Sequence, residues 1–128
     1  IAALMRIGMK EMKGFILEFF DVPDIVFMES CCLADLITTC MSGRNQLVGA
    51  EFARRQGKVS FDTLEREMLD GQSLQGTITA VPVHKVLKKN GWLKKYPLME
   101  GVYQVVAGNA KPDSILTVLE NVPQTQEL

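Results

Sequence analysis

Residues 29–45 read Glu-Ser-Cys-Cys-Leu-Ala-Asp-Leu-Ile-Thr-Thr-Cys-Met-Ser-Gly-Arg-Asn, and this run gathers the side chains best suited to act on a ligand. Asp35 and Thr39 stand four apart, so on a helix they share one face. Ser42-Gly43 then breaks the helical pattern, and Arg44-Asn45 falls at the expected start of the next helix. Glycine lets a backbone approach a ligand closely, and a helix start presents unpaired N–H groups at the positive end of its dipole. A carboxylate, a hydroxyl, a guanidinium and exposed N–H groups converging there would suit a small phosphorylated molecule. A solvated arginine would sit at the electrostatically wrong end of a helix, whereas a guanidinium beside that end matches a phosphate dianion. Read alone, Thr39 is equally a helix threonine bonded to the carbonyl four residues back. Asp35, among Leu33, Leu36 and Ile37, is equally a surface or helix-terminal carboxylate.

Other candidates carry less. Gln75, between Leu74 and Gly76, is a loop glutamine without further context. His84, the only histidine, has no carboxylate at helical spacing and reads as an ordinary helix residue. Cys31, Cys32 and Cys40 are an odd set without Cys-x-x-Cys spacing, far from His84. They point to neither a metal site nor a disulfide framework but to reduced core thiols in a cytosolic-type compartment.

These side chains need helices to position them. The 128 residues suffice for one domain with a real core, and 47% hydrophobic with 23% charged residues is an ordinary globular balance. A net charge of −1 with interspersed signs offers no surface for nucleic acid. No apolar run reaches membrane-spanning length, and no secretory pattern is present. Ile1 to Phe20 reads as an apolar helix with one polar stripe of Arg6, Lys10 and Lys13, to be buried between others. A second helix is expected over about Val26 to Cys40, and a third over Arg44 to Arg55. Ser60 should cap a short helix ending before Gly71. Leu74 to Asn90 should be helical, closed by Gly91, with Pro82 either kinking it or delaying its regular start to about Val81. Pro97 and Pro112 should open the last two helices. No strand alternation is evident, so the expectation is an all-α domain of about seven helices. Ile1-Ala2-Ala3-Leu4-Met5 enters a helical pattern without a cap or initiator Met, so the chain reads as a C-terminal piece of a longer protein.

Three blocks also resemble one family. Ala34-Asp35-Leu36-Ile37-Thr38-Thr39-Cys40 followed by Gly43-Arg44-Asn45 is similar to the substrate-domain motif of eukaryotic-type NAD-dependent glycerol-3-phosphate dehydrogenase. Gly71-Gln72-Ser73-Leu74-Gln75-Gly76 resembles a second block of that family, and Leu93 through Tyr103 a third, in family order and spacing. The resemblance implies a helical bundle of the 6-phosphogluconate-dehydrogenase C-terminal-domain type, with residues 1–128 as the substrate-binding domain. In the family a Rossmann domain precedes it, and no Gly-x-Gly-x-x-Gly after a strand occurs here.

The resemblance further implies interconversion of dihydroxyacetone phosphate and sn-glycerol 3-phosphate with NAD as cofactor. It places Asp35 and Thr39 at the catalytic centre, Arg44 and Asn45 on the substrate phosphate, and Arg44 and Gln75 on the nucleotide; no metal is implied. The family's general-acid lysine lies in an upstream Lys-Asn motif that Lys10 and Lys13 do not match, so the isolated chain is expected to be inactive. Ser73 stands where many members carry lysine, Cys32 where glycine is usual, and Met41-Ser42 where an apolar or aromatic residue and a glycine are usual. A homodimer in the cytoplasm is expected, with a glycosome or plastid as the alternative compartment. A related dehydrogenase on the same bundle, or a non-catalytic helical interaction or dimerisation module, are the rival readings.

Overall fold

The computed structural model describes residues 1–121. Among these residues there are seven α-helices and no strand: α1 Ala2–Leu17, α2 Asp35–Ser42, α3 Arg44–Arg54, α4 Phe61–Met68, α5 Gln75–Asn90, α6 Pro97–Val106 and α7 Ile115–Asn121. The all-α expectation therefore holds. Helix α6 is the hub, packed against α1, α5 and α7, while α3 packs against α2 and α4. None of these helices is long and apolar enough to cross a membrane.

Two local signals act as expected. The Ser60 hydroxyl accepts the Thr63 N–H at 3.1 Å and starts α4. Gly91 takes the left-handed conformation (φ 72°) that ends α5. Helix α5 runs from Gln75 to Asn90 with Pro82 inside it, so it begins well before the proline rather than near Val81. Pro112 opens a 3₁₀ turn, Pro112–Ser114, rather than the last α-helix itself.

The expected helix over Val26 to Cys40 is instead three pieces. A 3₁₀ turn spans Asp24–Met28, Glu29 is extended, and a π-helical turn over Ser30–Ala34 leads into α2. The β-branched Ile25-Val26 pair favours helix weakly. Phe27 is drawn into the core at 4% exposure, with the Lys13 ammonium over its ring and Lys13 paired to Asp24 at 3.0 Å. Anchoring that ring takes the chain off helical register, and the π turn restores it.

The core has two parts. Val48, Phe52, Leu64, Leu69, Leu74 and Val105 join α3, α4, the start of α5 and α6. Phe52 and Phe61 stack there at 4.1 Å. The other part lies under α1. Only Ile7, Met9 and Glu11 of α1 are buried, and the Arg6, Lys10, Lys13 stripe is half-buried rather than a solvated face. Phe15, Phe19, Trp92 and Tyr96 form a chain of edge-on ring contacts that docks the α5–α6 connection onto α1. The three cysteines form no disulfide and are not core residues. Cys31 is exposed, while Cys32 is half-buried with its sulfur 3.9 Å from that of Met9.

Candidate functional site

The site is the junction where α2 ends and the starts of α3 and α5 meet. Gly43 turns the chain from α2 into α3, its N–H bonded to the Thr39 carbonyl at 2.9 Å. A Cβ at residue 43 would lie 2.5 Å from that carbonyl oxygen. Gly43 is thus needed for close approach to the chain's own backbone. Because Gly43 has no side chain to cap α3, the first-turn amides of that helix receive no side-chain cap from it.

Arg44 and Asn45 stand in this first turn, both exposed, and both reach α5. Arg44 Nη1 donates to the Ser73 carbonyl at 3.3 Å. Asn45 Oδ1 accepts the Gly76 N–H at 3.0 Å. Gly76 is required by that contact, since a Cβ there would lie 2.7 Å from Asn45 Oδ1. With its oxygen committed to Gly76, the Asn45 amide turns its two Nδ2 donors to the other side. Gln75, exposed at the first position of α5, lies between the two tied residues. Two helix starts, a guanidinium and an amide donor therefore share one accessible corner, an arrangement suited to an anion.

Asp35 and Thr39 lie on one exposed face of α2, as their spacing predicts. The Thr39 hydroxyl donates to the Asp35 carbonyl at 2.8 Å, so the back-bonded alternative is what the structure has for its proton. Its oxygen lone pairs remain available as acceptors. Among the described residues no hydrogen bond or ion pair joins Asp35 to Arg44. The structure thus ties Arg44 and Asn45 to the α5 start around Gln75, and leaves Thr39 and Asp35 as a separate polar face about one and two turns before Gly43.

Three participants escaped sequence reasoning. Glu65 of α4 accepts the Leu74 N–H at 2.7 Å, holding the start of α5. A signal existed, since Glu65 and Glu67 stand in the C-terminal half of α4, where the dipole disfavours acids. Glu67 answers the same mismatch by pairing with Arg55 at 2.9 Å. His84 does meet a carboxylate, but from α6: its Nδ1 lies 2.7 Å from Glu100 Oε2, and its ring stacks on Tyr103 at 3.7 Å. Glu11 is buried at 6% exposure and accepts the Leu98 and Met99 N–H groups at 2.7 and 2.9 Å, capping α6. Desolvation pushes its carboxyl above the ordinary range, although the two backbone bonds pull it down.

The fold defines a class, an all-α domain in which the starts of two helices meet at one accessible corner. Residues 1–117 match the family described as NAD-dependent glycerol-3-phosphate dehydrogenase C-terminus, and the chain belongs to that family. It is similar to the chloroplastic NAD-dependent glycerol-3-phosphate dehydrogenase 1 of Arabidopsis thaliana, 51% identical over 121 residues that cover 94% of this chain and 30% of that protein. It is likewise similar to the cytoplasmic NAD-dependent glycerol-3-phosphate dehydrogenase of Bos taurus, 44% identical over 96% of this chain and 35% of that protein. The solved glycerol-3-phosphate dehydrogenase of Plasmodium falciparum superposes with a TM-score of 0.86 at 33% identity, over 98% of this chain and 35% of that one. The solved DsGPDH of Dunaliella salina superposes with a TM-score of 0.87 at 34% identity, over 98% of this chain and 23% of that one. The chain spans about a third of the length of the curated relatives it matches.

Proposed function

We propose that residues 1–128 are the substrate-binding domain of an NAD-dependent glycerol-3-phosphate dehydrogenase, which interconverts dihydroxyacetone phosphate and sn-glycerol 3-phosphate. The observation that carries this reading is the α3–α5 junction, with Arg44 bonded to Ser73 and Asn45 bonded to Gly76. In it the Arg44 guanidinium and the Asn45 amide donors take the substrate phosphate, assisted by the uncapped first turn of α3. Arg44 and Gln75 reach the nucleotide. This chain's residues fit the charged part of NAD, as the open α3 start and the exposed Gln75 beside it leave room for a second anionic group. Bound NADH supplies the hydride that reduces the carbonyl carbon. Asp35 favours the protonated form of a neighbouring acid and stabilises charge at the reacting carbonyl. Thr39, its proton held by the Asp35 carbonyl, accepts a hydrogen bond from a substrate hydroxyl. The proton donor and the holder of the nucleoside moieties come from a preceding nucleotide-binding domain.

On this reading the isolated chain turns over little substrate. Loss of a proton donor costs about 10²–10⁴-fold, and loss of cofactor positioning costs more. A steady-state assay with NADH and dihydroxyacetone phosphate, run on the isolated chain and on the full-length protein, tests it. Turnover by the isolated chain comparable with the full-length protein would overturn it.

A second reading, a non-catalytic association module, draws on one observation. Phe19, Phe20, Ile25 and Met28 are 51–65% exposed beyond the end of α1. This surface also supports homodimerisation within the first reading, and light scattering after size exclusion should give a dimer. The readings part on activity, since a non-catalytic module leaves the full-length protein inactive. The bovine relative is cytoplasmic and the Arabidopsis relative chloroplastic; we place this protein in the cytoplasm, to be checked by fractionation.

A further inference from the structure

We propose that Glu65 is a positioning residue for this site, acting on Arg44 through a single peptide group; this rests on the reading of Arg44 as a ligand contact given above. The Ser73 carbonyl and the Leu74 N–H are the two polar ends of one planar trans peptide, pointing in opposite directions. Glu65 Oε2 accepts the N–H end at 2.7 Å, and Arg44 Nη1 donates to the C=O end at 3.3 Å. A carboxylate, an amide and a guanidinium therefore stand in line, and each bond polarises the next. The peptide is held in place as well as polarised. The Leu74 side chain is 2% exposed within the core, and the Leu74 carbonyl accepts the Thr77 hydroxyl at 2.9 Å. Two residues on, Gly76 donates to Asn45. Turning the 73–74 peptide would thus move the anchor of Arg44 and shift the partner of Asn45.

The loop before this peptide gives it little rigidity of its own. It reverses through Asp70 and Gly71, both at positive φ (45° and 82°), and Gln72 returns one bond to the Leu69 carbonyl at 2.8 Å. Glu65 joins the rigid α4 to the far end of that reversal. Its removal leaves the Leu74 N–H, beside a buried side chain, to find another acceptor, and the peptide rotates to do so. Arg44 then loses its fixed carbonyl and spends more time in conformers that miss the ligand.

The test uses the full-length protein, with Glu65→Ala, Glu65→Gln, Arg44→Ala and the double variant. Glu65→Ala should raise KM for dihydroxyacetone phosphate roughly tenfold with kcat changed by less than about threefold, because binding geometry rather than chemistry is affected. Glu65→Gln, which keeps a neutral acceptor of the same length, should recover most of that loss. Adding Glu65→Ala to Arg44→Ala should cost less than about twofold further, since the two act through one contact. Amide exchange read by mass spectrometry should quicken over residues 72–77 in Glu65→Ala and stay unchanged in the second half of α5. Additive losses in the double variant, or quickened exchange throughout α4 and the core, would overturn the relay and leave Glu65 a residue of general stability. Unchanged KM and exchange in Glu65→Ala would also overturn it. If the unaltered full-length protein fails to reduce dihydroxyacetone phosphate, the functional reading fails, and the exchange measurement still decides whether Glu65 holds the 73–74 peptide.

Discussion

Helices α5 and α6 both begin against acceptors brought from elsewhere in the fold, and they are finished in opposite ways. At α6 one buried carboxylate, Glu11, takes both the Leu98 and Met99 amides. At α5 the work is divided. Glu65 takes Leu74, the neutral Asn45 amide takes Gly76, and Gln75 and Arg44 remain in solvent. A helix start closed by a buried charge has no donor left for a ligand, and its purpose is to hold α1 against α6. The α5 start, tied by an amide that keeps two donors of its own, is rigid and still open. The same backbone feature thus serves stability in one place and recognition in the other, and the accessibility of the capping group decides which.

The comparison is broken most directly at α6. Glu11→Ala strands two amides in a dry interface, so it should destabilise the protein by about 3 kcal/mol, read from the urea midpoint. Loss of less than about 1 kcal/mol would mean that the α6 start is not closed as described. Arg44→Ala in the full-length protein should do the reverse. It should lose charge-assisted bonds worth about 1.5–3 kcal/mol, or roughly 10–150-fold in kcat/KM, while stability moves by less than about 0.5 kcal/mol. Arg44→Lys should recover only part, lacking the planar two-point contact. A sharp fall in melting temperature with kcat/KM intact would make Arg44 structural. Gly76→Ala sharpens the contrast further. Its Cβ would press on Asn45 Oδ1, so KM for dihydroxyacetone phosphate should rise several-fold, while the entropic gain of alanine over glycine, about 0.5–1 kcal/mol, offsets the lost bond.

The smallest effect is in pH dependence, where two carboxyls oppose each other. Burial raises the folded-state value of Glu11, so its contribution is present below the ordinary value of 4.5 and is lost as pH rises through the raised one. The Arg54 and Arg55 guanidiniums hold Glu51 down to about 2, so its contribution is present above 4.5 and is lost as pH falls toward 2. Glu51→Gln should therefore flatten the acid limb of the stability curve between about pH 4.5 and 2, whereas Glu11→Gln should act only above pH 4.5, removing the gain in stability that comes as pH falls through the raised value. Urea midpoints measured below and above pH 4.5 check the two signs separately.

What was legible in the sequence was local. The Ser60 cap, the Gly91 stop and the placing of Arg44-Asn45 at the start of α3 all depend on neighbours within four residues. The family motifs supplied the roles proposed for Asp35, Thr39 and Gln75, which their spacing alone left open. What was hidden depends on partners distant in sequence. Nothing near Glu11 marks it as buried, because its partners lie at residues 98 and 99. His84 lacked a carboxylate on its own helix and found one on α6. The π turn at Ser30–Ala34 was hidden for another reason, since the apolar pattern there passes smoothly from Cys31 to Ile37 while the backbone is reset by Phe27.

The reach of the Glu11 contact bears on the order in which the molecule assembles. The ties of the ligand corner close loops of 9, 29 and 31 residues, whereas those of Glu11 and Glu18 close loops of 77 to 88. Shorter loops cost less entropy and close sooner. The α3–α4–α5 corner should therefore form first, with α1 swinging in last to complete the domain. Refolding from urea should show protection at Leu74 and Gly76 before Leu98 and Met99, so that the recognition corner exists for a time while the clamp that stabilises the whole is still open.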